Sequence, residues 1–505
     1  MPDKIDSNIT SAAFAEEATI GVLPGSPVWY RVEPNSFAET GGDVTTVARA
    51  PINPSRQRRK GTIVDLDSSY GMNHDFVMTG LMRALQGFFF AAARENADSQ
   101  SLAIAPIALT ATTVTTYTAA AGLGAFKATD IVFASGFATA ANNGIRVLSA
   151  ASATTLTTTG LTVEAAPPAA ARVQTVGTQF ASADVNVANV TAANFALTCT
   201  AFDFTTLGLT PGEWIYLGDD IAGNRFANNL GYARVLSAAA KVIVLDQSTW
   251  TPVNEVGTGK TIRMYYGTVL RNEKTPSLIV RKSVQWERQL GNDGNGTQSE
   301  YVTGAVANEM SLNVPMTDKM NVDLGYIGIG NEQRTGTTGV KAGTRVEPPL
   351  EGAVNTSTDV VRNRLAIVDP TTMNNTGLVG YCQEITLTIN NGVTPNKAIG
   401  KLGAFDATAA DFAVDGELTA YFSDIRAVQA IRQVADVGWN YIAARANKGF
   451  IWDLPLLTLG GGRVNVEKDS AITIPVTEMG AENALGYTLM YVEFPYLPTV
   501  AMPVQ

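Results

Sequence analysis

The residues that decide the fold lie between positions 41 and 93 and read GGDVTTVARAPINPSRQRRKGTIVDLDSSYGMNHDFVMTGLMRALQGFFFAAA. Residues 41–48 follow a Gly-Gly start and are rich in β-branched side chains, which predicts a strand that begins at a turn. Residues 62–67 alternate apolar and polar side chains, a pattern typical of a half-buried strand. The sequence therefore predicts two strands joined by residues 49–60.

The connection between these strands is stiff and strongly basic. Pro51 and Pro54 exclude it from the interior of a sheet. Five cationic side chains lie along it, namely Arg49, Arg56, Arg58, Arg59 and Lys60. Such a connection is poorly suited to a catalytic pocket and well suited to an arm that reaches another molecule. The alternatives are a solvated loop and a loop that binds nucleic-acid phosphates.

A helix is predicted directly after the second strand. Asn73 is placed to cap it, with Asp75 in the first turn. Its core-facing side chains follow helical spacing and are Val77, Leu81, Leu85 and Phe88. This helix is expected to brace the two strands.

Composition limits the class of protein. A chain of 505 residues is too long for one hydrophobic core, so more than one domain is expected. Charged residues are 16%, below the usual quarter, and short strand-like runs indicate a mainly β protein. The net charge of −10 argues against a basic nucleic-acid binder. Cys199 and Cys382 are far apart and are interpreted as buried small residues.

An internal repeat defines the middle of the chain. Residues 146–151, Arg-Val-Leu-Ser-Ala-Ala, recur as residues 234–239. Similar segments flank each copy, at 130–136 and 213–219 before it and at 172–178 and 263–268 after it. The repeat predicts two small β modules, each with its own sandwich or barrel. The predicted domains are a split domain, 1–100 and 273–505, with modules 101–188 and 189–272 inserted.

The last part of the chain is predicted to be strands around one helix. The predicted strands are 277–282, 284–288, 384–389, 417–422, 449–454, 462–467, 471–476 and 485–494. Ser423 is expected to cap the helix, with Asp424 in its first turn and an end at Gly438. Its predicted apolar face consists of Ile425, Val428, Ile431 and Val434. Residues 328–375 are predicted to be a long loop, and the C-terminus an extended arm.

No group of residues predicts catalysis. Residues 257–261, Gly-Thr-Gly-Lys-Thr, lack the glycine of a phosphate loop at Asn254 and precede a strand, so a β-turn is predicted. His74 is the only histidine, which excludes His-cluster metal sites and favours a capping or surface role. The pairs Asp65/Asp67 and Asp219/Asp220 leave a calcium or acid–base role open beside a structural one. We therefore predict no enzyme activity, no catalytic residue, no metal and no cofactor.

The N-terminal residues lack an apolar signal segment, and no apolar run approaches ~18 residues. The sequence predicts a protein that is made in the cytoplasm and does not insert into a membrane.

Several segments resemble the tail tube (major tail) proteins of long, flexible-tailed, siphovirus-type bacteriophages. The N-terminal ones are residues 23–30, LPGSPVWY, residues 41–61, and the helix that ends in Phe-Phe-Phe. The later ones are Asn390-Asn391-Gly392 after a strand, residues 416–424, GELTAYFSD, and residues 452–459, WDLPLLTL. The resemblance covers roughly 14–100 and 275–498.

The resemblance implies a tail-tube β-sandwich or barrel with two flanking helices and two inserted β modules. It implies a virion protein that forms hexameric rings, which stack into a hollow tube for DNA ejection. The implied partners are further copies, the tape measure, the tail terminator and the tail tip, with DNA only transiently in the lumen. We expect residues 49–60 to be the ring-stacking arm, and a deletion of residues 102–270 to permit assembly. The alternative is a β-module surface or adhesion protein of phage or bacterial origin.

Overall fold

The computed structural model describes residues 4–52, 54, 57, 59–102, 106–292, 294, 296–374 and 377–503. In this part of the chain strands predominate and two α-helices occur, which confirms the prediction of a mainly β protein. The chain forms two compact units. Unit 1 consists of Met1–Ala92, Asn272–Thr356 and Gln383–Thr419. Unit 2 consists of Ala93–Arg271, Ser357–Cys382 and Ala420–Gln505.

The elements follow the chain in three groups. The first group is β1 Ser11–Glu16, β2 Val28–Val32, β3 Pro34–Arg49, β4 Arg59–Asp75 and α1 Met82–Phe89. The second is β5 Leu109–Thr112, β6 Thr116–Ala119, β7 Asp130–Ser135, β8 Gly144–Val147, β9 Ala150–Ala151, β10 Thr155–Thr157, β11 Arg172–Gln179, β12 Val185–Ala188, β13 Phe195–Cys199, β14 Trp214–Leu217, β15 Gly231–Ala239, β16 Val242–Ser248, β17 Arg263–Tyr266 and β18 Thr268–Arg271. The third is β19 Ser283–Asn292, β20 Thr297–Pro315, β21 Asn321–Gly328, β22 Gly330–Arg334, β23 Thr344–Val346, β24 Val360–Ile367, β25 Cys382–Asn390, β26 Thr394–Lys397, β27 Ala404–Thr408, β28 Ala413–Tyr421, α2 Arg426–Arg432, β29 Val437–Arg445, β30 Lys448–Gly461, β31 Thr473–Gly480 and β32 Met490–Phe494.

Unit 1 is built around the long strand β20. Its first half pairs with β19 and β22, and its second half pairs with β21 and β25, all antiparallel. Strand β1 lies between β2 and β19, and β23 adds to β2 in parallel. On the other side β21 pairs with β4, and β4 pairs with β3. The predicted strands at 41–48 and 62–67 thus belong to one long hairpin.

Helix α1 begins later than the sequence predicted. Asn73 and Asp75 belong to β4, where every second side chain from Ser68 to His74 is buried. Because this period of two continues through the predicted cap, these residues extend the strand instead of starting a helix. The Asn73 side chain donates hydrogen bonds to Asn321 and Asp323 on β21. Among the described residues, no helix is long and apolar enough to cross a membrane.

The two repeats of unit 2 meet in a nine-stranded sheet of order β8-β7-β11-β17-β14-β15-β16-β13-β12. The equivalent strands β11 and β17 pair antiparallel at its centre, with Gly177 opposite Tyr265. The three strands on one side, β11, β7 and β8, therefore match β17, β14 and β15 on the other. This arrangement relates the two repeats by an approximate two-fold rotation.

Each repeat also has its own hydrophobic core. In the first repeat, Tyr117, Phe126 and Leu156 are among the buried side chains of one cluster. In the second repeat, Phe195, Ile243 and others form another cluster. In the first repeat, strands β5, β6, β10 and β9 form a separate four-stranded sheet. The chain breaks there between β8 and β9, whereas the equivalent residues of the second repeat form one continuous strand, β15. The repeats therefore have separate cores but are joined through one sheet.

The C-terminal strands complete unit 2. Strand β30 pairs with β29, β31 and β32, and β24 and β18 flank this group. Trp214 and Tyr265 of the repeats share a buried cluster with Ile442, Ile451 and other side chains of these strands. Residues 420–503 thus pack with the repeats, which differs from the predicted division into a split domain with inserted modules. The expectation that a chain without residues 102–270 still assembles stays a prediction, and such a deletion would expose this core.

Several short elements differ from the predictions. The predicted strand 277–282 contains a 3-10 turn at Pro276–Leu278. The predicted loop 328–375 contains β22, β23 and β24. Ile425 rather than Ser423 occupies the N-cap position of α2, and the Asp424 carboxylate accepts from the Arg426 N–H at 2.9 Å. Gly438 lies in β29, after the helix has ended at Arg432.

The side chains predicted for the face of α2 divide into buried and exposed ones. Val428 is buried, whereas Ile425 and Val434 are exposed. Ile425 and Val434 lie outside the helix, which spans Arg426–Arg432, so the helix cannot bury all four predicted positions.

The predicted strand 462–467 contributes only a bridge between Asn465 and Thr473.

The C-terminus is not a free arm. The N–H groups of Thr499 and Val500 donate to the Asp220 carboxylate at 3.0 and 2.9 Å. Leu497 is completely buried, and the Tyr496 ring stacks on Phe133. These contacts hold the last described residues against unit 2.

Candidate assembly interface

Strands β3 and β4 form a ribbon of which only the base lies in a larger sheet. The register runs from Pro34 opposite His74 to Arg49 opposite Arg59. Strand β21 pairs with β4 only over residues 68–75. Within the described chain, no third strand pairs with the ribbon from residue 43 to residue 67. At ~3.3 Å per residue, the nine residues 59–67 extend β4 about 30 Å beyond the paired part.

The outer part of this ribbon exposes apolar side chains. The exposed fractions are 45% for Val44, 54% for Val47, 55% for Ile63 and 50% for Val64. Val44 and Val47 are three residues apart on β3, so their side chains lie on opposite faces and both faces of the ribbon carry apolar surface. A two-stranded ribbon is marginally stable in water by itself, and unpaired strand edges favour association. The ribbon is therefore a surface that a partner would stabilise.

The tip of the ribbon carries the predicted basic residues. Arg49, Arg59 and Lys60 are exposed, as are Pro51 and Pro54 in the connection. The register places Arg49 directly opposite Arg59. The remaining two predicted residues, Arg56 and Arg58, lie outside the described residues.

A lysine fixes the ribbon where it leaves the sheet. Lys397, at the end of β26, donates to Asp65 at 2.5 Å and to Asp67 at 2.6 Å. The hydrogen bond from Lys397 is the main cause that lowers the pKa of the Asp65 carboxyl. The two aspartates thus hold a cation of the same chain. Sequence reasoning missed Lys397 because 330 residues separate it from Asp67.

Three of the four predicted core residues of α1 are buried. Leu81, Leu85 and Phe88 are buried, with the Phe88 ring 5.1 Å from that of Tyr326 on β21. Val77 precedes the helix and forms a bridge with Ala353. The Asn391 side chain donates to the Phe88 carbonyl at 3.0 Å and secures the end of the helix. The helix therefore packs on the sheet that carries the ribbon.

The other candidate sites have structural contacts. His74 is buried, and its Nδ1 lies 2.5 Å from the Asp75 carbonyl oxygen. Asp219 accepts from Arg263 and from the Tyr265 hydroxyl, both at 2.8 Å. Lys260 in the Gly-Thr-Gly-Lys-Thr turn pairs with Glu255 at 3.4 Å. Among the described residues, no group of three or more His, Cys, Asp or Glu side chains could hold a metal ion.

The two cysteines are free thiols. Cys199 is buried and Cys382 is half-buried. Burial raises the pKa of the Cys382 thiol to about 11, so the thiolate is scarce near neutral pH. This fits the interpretation of both cysteines as packing residues.

The family comparison covers the later part of the chain. Residues 245–480 match the family model described as phage tail tube protein. The match supports the resemblance to phage tail tube proteins and a structural role in a phage tail. The search of curated proteins found no match. The ribbon, at residues 34–75, lies outside the matched residues, so its role is argued from its geometry.

Proposed function

We propose that this chain, which resembles phage tail tube proteins over residues 245–480, is the tail tube subunit of a siphovirus-type bacteriophage. Copies assemble into hexameric rings, and the rings stack into the hollow conduit for DNA delivery. The observation that carries the assembly step is the β3–β4 ribbon. Both of its faces are exposed, and from residue 43 to residue 67 no third strand among the described residues pairs with it.

The ribbon suits a contact between successive rings. Its two strands fix both ends of the connection, and Pro51 and Pro54 reduce the entropy that is lost on docking. Arginine side chains at its tip form bidentate contacts with carboxylates. Each exposed pair contributes only ~0.2–1 kcal/mol, but a ring presents several copies at once.

The proposed tube has further partners. The tape measure protein, the tail terminator and the tail tip contact its interior and its ends. DNA passes through the lumen without lasting contacts, since a net charge of −10 does not favour the counterion release that holds proteins on DNA.

The experiment separates ring formation from stacking. Arg49→Ser, Arg59→Ser and Lys60→Ser are combined, and rings and tube lengths are counted by electron microscopy at low and high salt. We expect rings without long tubes, and the unmodified protein to lose tubes as salt rises. Arg463→Ser with Lys468→Ser, two exposed cations of unit 2, is the control. Tubes of normal length and salt resistance in the triple variant would contradict the stacking role.

A further inference from the structure

The sheet of unit 1 carries positive charge at one end. Arg49, Arg59 and Lys60 make no ion pair within the part of the chain that the structure describes. Arg49 lies directly opposite Arg59, and like charges at such cross-strand positions destabilise a ribbon. Carboxylates of another molecule would therefore stabilise the tip.

The opposite end of the same sheet carries carboxylates. Strand β4 ends at Asp75, which is opposite Asn321 at the start of β21. Next to them, Pro315 at the end of β20 pairs with Glu384 of β25. The carboxylates at this end are Asp75, Asp318, Asp323 and Glu384. Lys319 neutralises Asp75 at 2.7 Å, whereas Asp318 and Glu384 are exposed and have no ion pair with a described residue.

We infer that the cationic tip of one copy docks on the acidic end of a second copy, defined as Asp318, Asp323 and Glu384. The inference rests on the proposed function and names the surface that receives the ribbon. The tip and the acidic end lie at opposite ends of strand β4, so a displacement along this strand brings one against the other. Repetition of that displacement gives an open, head-to-tail assembly.

The apolar side chains of the ribbon support this direction of docking. Val47 and Ile63 lie just behind the charged tip and are about half exposed. When the tip meets the acidic end of a second copy, these side chains are brought against that copy and lose water. Exclusion of water also strengthens the Arg–carboxylate contacts beside them.

The test uses two charge-reversed chains. One carries Arg49→Glu and Arg59→Glu, and the other carries Asp318→Lys and Glu384→Lys. We expect each alone to form rings without tubes, and an equimolar mixture to form tubes, because each reversed end then meets its complement. Asp411→Lys is the matched control. Asp411 is exposed and lies far along the strand from Glu384. The N–H of the preceding residue, Ala410, donates to the Asn391 carbonyl, and Asn391 directly follows the end of β25 that is opposite to Glu384.

The outcomes distinguish the two proposals. If the Asp318→Lys, Glu384→Lys chain forms tubes like the unmodified protein while the Arg49→Glu, Arg59→Glu chain does not, the acidic end is not the receiving surface, and the stacking role stands. If the Arg49→Glu, Arg59→Glu chain also forms normal tubes, both proposals fail. A mixture of two folded, ring-forming chains that gives no tubes overturns the inference.

A milder variant tests the same surface if the charge-reversed chain does not fold. Asp318→Asn with Glu384→Gln removes the charges and keeps the side-chain shapes. Circular dichroism and thermal melting report whether each variant folds. We expect this variant to form shorter tubes at low salt, and tubes of unchanged length would overturn the inference.

Discussion

The Nδ2 atom of Asn229 lies 2.9 Å from Oε2 of Glu255, and it donates a hydrogen bond to this carboxylate. Asn142 and Glu164 make the same contact at the same distance in the other repeat. Each glutamate also accepts two backbone N–H groups from the loop that contains its asparagine. Each glutamate further bridges to an early strand of its repeat. In each repeat, the glutamate therefore connects the loop that contains the asparagine to an early strand of the repeat. We call this set of contacts the clamp.

Removal of one clamp should destabilise unit 2. Glu255→Ala leaves the N–H groups of Ala227 and Asn228 without their acceptor and removes one of the two acceptors of the buried Asn229 amide, which keeps the Val253 carbonyl. We expect a loss of ~1–3 kcal/mol in the free energy of unfolding. Urea unfolding followed by fluorescence measures it, with Val256→Ser, an exposed neighbour, as the control. An unchanged unfolding midpoint for Glu255→Ala would contradict the role of the clamp.

A second carboxylate gives unit 2 a specific pH dependence. Burial raises the pKa of Asp184, but hydrogen bonds from the N–H groups of Thr200, Ala201 and Phe202 and from the Thr200 hydroxyl outweigh it and lower the pKa to about 2. The folded pKa lies below the unfolded value of ~3.9, so the stabilisation is complete above that value. It is lost as the pH falls from about 4 towards 2.

The measurement compares the protein with Asp184→Asn. We expect the unmodified protein to be more stable at pH 6, and the difference to shrink between pH 4 and pH 2. A difference that stays constant over this range would show that ionisation of Asp184 does not contribute.

A buried ion pair joins the repeats to the C-terminal strands. Arg234 on β15 contacts Asp453 on β30 at 3.3 Å, and both side chains are buried. Arg234→Met leaves the Asp453 carboxylate with the Tyr487 hydroxyl but without its cation. We expect a loss of ~3–5 kcal/mol in the free energy of unfolding.

Two further variants complete this test. Arg463→Met, at an exposed position of unit 2, is the control and should leave the unfolding midpoint in place. Asp453→Asn in the Arg234→Met background should recover part of the loss, because it removes the unpaired charge. An Arg234→Met protein as stable as the control would mean that the two groups of strands do not depend on this contact.

The sequence was sufficient for features with a local pattern. The alternation in residues 62–67 predicted a strand that is part of β4, and the recurrence of residues 146–151 predicted two related β modules, although not their pairing. It misplaced the start of α1 because Asn73 and Asp75 resemble a helix cap locally, whereas the burial of His74 is decided by pairing with β21.

Non-local pairing could not be predicted from these patterns. The β11–β17 pair joins the repeats, and the Arg234–Asp453 contact places residues 420–503 with them. Nothing in either local sequence specifies these partners. At the candidate interface, the predicted tip residues follow from composition, but the exposure of Val47 and Ile63 depends on where β21 stops pairing with β4.

The most direct test of the central claim removes the outer ribbon and leaves the sheet intact. Residues 45–65 are replaced by Asn-Gly, a two-residue turn that suits the facing pair Val44 and Leu66. Circular dichroism and thermal melting establish that the shortened protein folds, and electron microscopy measures assembly. We predict a folded protein that forms no tubes at any salt concentration. Tubes of the unmodified length from the shortened protein would contradict the claim that the ribbon mediates stacking.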